Sequence, residues 1–296
     1  MGKTPALPLP WPGQAAIERL ATGFTRLAGV YLLVGLAVGF VTSWWRSTSG
    51  RWDLVWAHAL LVGFFLSMAA GVCYHVLARW TGRRWHWPIR LHLMVVTVGL
   101  PFMLIALATG WMPLFVIAGP LQAAGIALLL VNIAPMLGGL PALTRIAMAS
   151  ASACLAVGVG LGAVFAVEPA VGARLRFVHV ELNLFGWTGL LICGVSYYLV
   201  PRLLGRPLRW PRLAAVQIAC LAIGTLLSTG FLAWRVSGGG SPKLVVSTHA
   251  LVALGFVLFG TLIAFTIQGE RAPGVVVAVP LQSRRGSSAP SGANAG

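Results

Sequence analysis

Three histidines and one glutamate stand where charge is costly. His58 lies in "WAHALLVGFF", His179 and Glu181 in "FVHVELNLFG", and His249 in "STHALVALGF", each near the start of an apolar run. An ionisable group inside a bilayer is expensive and reads as functional by default. Neutral imidazole is a ready ligand for iron or copper, and haem iron often takes two of them from facing helices. Spacing sorts the candidates. His179 and Glu181 are two residues apart, about 200° around a helix, so Glu181 need not face the same metal. It is placed to hydrogen-bond another histidine's second nitrogen, or to bear a proton. His75 follows His58 by 17 residues, about 25 Å along one helix, and cannot join the same cluster. His86 and His92 fall on that far side too. For His75, His86 and His92 an interhelical or interfacial packing role is the better reading. Gly63, Gly186 and Gly255 lie near the three candidates. They either open room for a flat macrocycle or simply pack small residues against a neighbouring helix.

The elements that must carry these side chains follow from composition. Of 296 residues 58% are hydrophobic and 9% charged, and the mean hydropathy is +0.88. A net charge of +16 on a soluble chain would suggest nucleic acid, but nothing this apolar folds alone in water. The basic residues belong in loops facing anionic lipid headgroups. About 20 apolar residues cross a bilayer as a helix. Eight such runs lie near 27–45, 54–79, 89–109, 111–133, 146–167, 177–201, 211–235 and 244–268. The expected fold is an all-α polytopic membrane protein, with a tight hairpin at "ATGWMP". Segment 1–26 is expected in the cytoplasm and lacks a signal-peptide core. The membrane domain covers 27–268, and the small-residue tail 269–296 is expected to be disordered. Cys73, Cys154, Cys193 and Cys220 sit singly in apolar runs and read as small hydrophobes. No CxxCH occurs, so any haem would be held without a covalent link.

Basic residues orient the chain. Fifteen fall on one side of the eight spans. Arg46, Arg51, Arg174, Arg176, Arg235 and Lys243 are the six on the other. The positive-inside bias places both termini in the cytoplasm of a bacterial-type plasma membrane. On this topology His58, His179 and His249 each lie near the outer start of an outside-to-inside span and share one depth. The sequence also repeats with an offset of 123 residues: "GVCYHVLARWTGRRWHWP" (71–88) aligns with "GVSYYLVPRLLGRPLRWP" (194–211). The same offset pairs Gly35 with Gly158 and Gly39 with Gly162. Two parallel four-helix repeats are expected, near 27–133 and 146–268, related by an axis along the membrane normal.

"HVELNLFGWTGLLICGVSYYLVPRLLGRP" resembles subunit I of the haem-copper oxidases, especially the C-type (b-haem) oxidases and nitric oxide reductases, in its "GW…G…YY..PR..GRP" phrase. "WAHALLVGFFLSMAAGVCYHVLARWTGR" is a second copy of that phrase. The resemblance covers spans two and six with their following loops, and faintly span eight. It implies that His179 takes the first place of the family's HxH haem-ligand motif, while Glu181 holds the second and supplies no nitrogen. In span two the order is reversed, Trp56 first and His58 second. His249 is then the natural third ligand. The family's adjacent copper-ligand histidines have no counterpart in span seven, so a complete binuclear centre is not assembled from these residues.

The reading that results is a b-type haem protein related to oxidase subunit I, transferring electrons or binding a diatomic gas. Haem b is the expected cofactor, with copper second. A c-type cytochrome or other respiratory subunits are the partners the resemblance implies, alongside membrane lipid. The alternatives are a metal-free scaffold or assembly partner, and a transporter, for which the repeats speak but acidic coupling residues in mid-membrane are lacking.

Overall fold

In a computed structural model, residues 13–45, 50–81 and 86–269 are described. All regular structure among them is helical, and eight helices are long and apolar enough to cross a membrane. They are α1 (Gln14–Trp45), α2 (Gly50–His58, Ala59–Leu66 and Ser67–Thr81 run together), α3 (Trp87–Thr109), α4 (Met112–Leu137), α5 (Ala142–Val167), α6 (Pro169–Glu181, Leu182–Gly189 and Leu190–Leu204 run together), α7 (Pro211–Val236) and α8 (Pro242–Gln268). Helices are the expected outcome because hydrocarbon offers no partner to a backbone amide, so each span must satisfy its own. Proline stands in the first turn of α3, α4, α6, α7 and α8, where its missing N–H costs nothing. The α3–α4 hairpin turns on Gly110, whose φ of 70° suits glycine. There Arg51 Nη1 donates to Thr109 O at 2.7 Å and satisfies a carbonyl left over by the end of α3.

Two helices begin well before the apolar runs that announce them. α1 is helical from Gln14, within the segment expected to precede the first span, because Ile17, Ala21 and Phe24 form a buried stripe among polar residues. α6 begins at Pro169 rather than near 177, with Arg174 and Arg176 exposed on its first turns. Long basic side chains at a helix end reach the interface while the helix continues. The tail from 270 onward lies outside the described residues.

Neighbours in sequence pack as neighbours in space: α1 on α2, α3 on α4, α5 on α6 and α7 on α8, with α4 against α5 joining the halves. The middle of α2 and of α6 is π-helical, over Ala59–Leu66 and Leu182–Gly189. These segments are offset by the same 123 residues at which the sequence repeats. Glycine contacts recur at that offset. A Cβ on Gly63 would lie 2.6 Å from Tyr31 Cβ, and one on Gly186 2.7 Å from Cys154 Cβ. Gly71 meets the α1 stretch at Ala21, Phe24 and Thr25; Gly194 meets the α5 stretch at Thr144, Ala147 and Met148. The space beside Gly63, Gly186 and Gly255 is thus occupied by a neighbouring helix, with Leu221 closing on Gly255. Of the two readings offered by the sequence, these glycines follow close packing.

Candidate functional site

His58 is the last α-helical residue of α2 before its π segment, and its Nδ1–H donates to Leu54 O one turn back at 2.8 Å. His179 occupies the last α-helical turn of α6 before the corresponding segment. Its Nδ1–H donates across to Gly158 O on α5 at 2.7 Å. A carbonyl only accepts, so both rings carry their proton on Nδ1. Each Nε2 then keeps its lone pair and has no hydrogen-bond partner among the described residues. This is the tautomer in which imidazole ligates a metal, and a bond from the other nitrogen to a carbonyl is the usual orienting contact.

The α5 wall around His179 is made of glycine. A Cβ on Gly162 would sit 3.0 Å from His179 Cε1, so the ring comes this close to α5 only because none is there. Phe165 closes the other side, its ring centroid 5.6 Å away. Asn183, one turn on, donates Nδ2–H to His179 O at 2.7 Å. Its 3.5 Å approach to His179 Nδ1 is a contact between two donors and not a bond.

His249 is engaged differently. Its Nδ1–H donates to Val245 O at 2.8 Å, and its Nε2 lies 2.7 Å from Glu181 Oε1. Ser228 Oγ donates to Glu181 Oε2 at 2.6 Å and approaches His249 Nε2 at 3.3 Å. With Nδ1 protonated, the short Nε2–Oε1 contact needs one further proton on that line, so the pair holds it between carboxylate and ring. Glu181 is buried at 7% exposure, and the hydroxyl satisfies its second oxygen. Glu181 thus points across its helix from His179, to α7 and α8. Both nitrogens of His249 are committed in this arrangement. Among the described residues no three His, Cys, Asp or Glu side chains gather closely enough to hold a metal ion.

The remaining histidines lie apart. His92 is buried and its Nδ1 is 2.7 Å from Tyr74 OH, an interhelical bond extended by Asn132 Nδ2 donating to Tyr74 OH at 3.2 Å. His75 and His86 are exposed. Ser228, Asn183 and the Gly158 carbonyl were not legible as site components. A serine in an apolar helix and a backbone oxygen carry no sequence signal of their partners.

Residues 142–283 match the family model described as Cytochrome C and Quinol oxidase polypeptide I. That stretch contains His179, Glu181, Asn183, Ser228 and His249. No curated protein matches the chain.

Proposed function

We propose that the chain is a member of the haem-copper oxidase subunit I superfamily, whose family model matches residues 142–283, and that it binds a b-type haem through His58 and His179 and transfers electrons within the membrane. The observation that carries the reading is the pair of Nδ1-anchored rings, His58 on α2 and His179 on α6, each with a free Nε2. A bare metal ion needs three or four protein ligands, and no such group gathers among the described residues. Two imidazoles suffice where a macrocycle brings the other four nitrogens. When bound, the haem supplies a one-electron couple, and a bis-histidine site favours electron transfer over gas binding.

The chain's own residues fix that site. Leu54 O and Gly158 O hold the two tautomers. Gly162 lets the His179 ring sit against α5, and Asn183 ties the His179 carbonyl. The Glu181–His249–Ser228 cluster keeps its proton one helix-width away from His179. The surrounding helices are apolar, which excludes water from the redox centre. The electron donor is a c-type cytochrome or a respiratory subunit meeting the end of the bundle that carries Gly110 and Ser241. That end faces outward in the plasma membrane.

Full-length protein purified in detergent from haem-replete cells decides this. A reduced-minus-oxidised spectrum with the sharp bands of six-coordinate b haem is expected. It should be lost in His58→Ala and His179→Ala and retained in His75→Ala. Protein without a Soret band would overturn the reading and leave a metal-free scaffold.

A further inference from the structure

Hydrogen bonds set three helices of the site at one depth. Glu181 on α6 meets His249 on α8 at 2.7 Å and Ser228 on α7 at 2.6 Å, so these residues and His179 share a level. Cations toward the end that carries Gly110 and Ser241 are then placed by counting residues at 1.5 Å each. Arg176 stands three residues beyond His179 in that direction, about 4.5 Å along α6. Lys243 stands six residues beyond His249 and Arg235 seven beyond Ser228, about 9 and 10 Å along α8 and α7. All three are exposed, as is Arg174 further out on α6. Arg176 holds its guanidinium over the Phe177 ring, 4.7 Å from the centroid.

The acids described at this end are Asp53 and Glu168, and neither forms an ion pair with these cations. The positive charge is open to a partner. Lys and Arg on a translocated side also work against the charge bias that orients the chain. Cations kept there against that bias, on the three helices that carry the polar cluster, point to a use on that side. Charge of this kind steers and docks a surface of opposite sign, speeding encounter by about 10- to 1000-fold at low salt.

We infer that Arg174, Arg176, Arg235 and Lys243 form the docking face for an acidic, water-soluble one-electron carrier that delivers electrons to this site. The step is one electron from the carrier to the haem iron, with no bond made or broken. The inference rests on the haem reading for the electron's destination, and on charge and placement alone for the partner. The two are therefore tested apart.

The chain has two lysines, Lys3 and Lys243, so a carbodiimide that joins amines to carboxylates reports on this face through Lys243. Full-length protein in discs of neutral lipid is mixed with cytochrome c whose lysines are succinylated, an acidic carrier, or with the basic unmodified form. An adduct on Lys243 is expected with the acidic carrier only. It should be lost in 1 M salt, where the Debye length is about 3 Å. Arg176→Glu combined with Arg235→Glu keeps the reporter lysine and should cut the adduct roughly tenfold. The comparison of carriers on wild-type protein stands without that variant. In stopped flow the reduced acidic carrier should pass its electron to wild-type protein faster than the basic one, at a rate that falls as salt rises. No adduct on Lys243, an adduct on Lys3 alone, an equal yield with the basic carrier, or a yield unmoved in the folded double variant overturns the inference. Equal rates of haem reduction by the two carriers overturn it as well. Protein without haem removes the proposed function and the electron's destination with it. A salt-sensitive Lys243 adduct on such protein still supports a face for an acidic partner, and its absence overturns that too.

Discussion

A histidine whose Nδ1–H is committed to a backbone carbonyl presents its Nε2 lone pair in one fixed direction, and His58 and His179 both do so. His249 spends that nitrogen on Glu181 instead. The difference is not visible in residue types or spacing, since all three histidines begin similar apolar runs. It arises from which helix each ring faces, and that depends on the crossing of α6 with α7 and α8. The sequence did indicate that Glu181 need not face the metal side, because two residues turn a helix by about 200°. The consequence for stability is specific. Removing the ring in His249→Ala strands a buried carboxylate with Ser228 alone, costing about 2–4 kcal/mol in detergent unfolding, toward the lower end because the His249 side chain is 39% exposed. Glu181→Gln in the same background removes the stranded charge, so the double variant should be more stable than His249→Ala. A double variant as unstable as the sum of the singles would show that the two residues do not interact.

At the scale of elements, the eight spans and the all-α class were legible, because a bilayer admits few alternatives to an apolar run of about 20 residues. The ends of α1 and α6 were not. Interfacial turns carry Glu18, Arg19, Arg174 and Arg176, and an apolar-run criterion stops short of them while the backbone hydrogen bonds continue. The π segments of α2 and α6 also leave no composition signal. Their wider turn follows the residues at 58 and 181, and such bulges concentrate at functional sites. Glycines within them set how closely α1 and α5 approach. Gly186→Ala would bring its Cβ to 2.7 Å from Cys154 Cβ, and overpacking of this kind costs about 1–3 kcal/mol. Gly260→Ala on α8, with nothing within 4 Å, should be neutral or slightly stabilising by helix propensity. Thermal melts of the two in one detergent check this, and Cys154→Gly should restore Gly186→Ala. Equal melting temperatures for the two alanine variants would show that the α5–α6 seam is not closed on Gly186.

Taken whole, the molecule carries its charge at the two ends of the helix bundle, and the two ends differ. The end with Gly110 holds Arg51, Arg174, Arg176, Arg235 and Lys243, offset by Asp53 and Glu168. The opposite end gathers Arg90, Arg145, Arg202, Arg206, Arg209 and Arg212 with no acidic residue among the connections α4–α5 and α6–α7. Lys and Arg in short loops resist translocation, so the more basic end is the one expected in the cytoplasm. Asp53 and Glu168 contribute little to that choice, which depends on the cations. The electron-transfer reading depends on the same orientation, because it places His58 and His179 in the outer part of the membrane, where an external donor can approach. Ser241, at the start of α8, and Gly138, between α4 and α5, are exposed on opposite ends. A membrane-impermeant maleimide applied to intact spheroplasts should label Ser241→Cys and spare Gly138→Cys until the membrane is opened. The four native cysteines are buried or partly buried, which keeps the background low. The reverse labelling pattern would invert the protein, put the two histidines near the cytoplasmic surface, and require the electron donor to come from inside the cell.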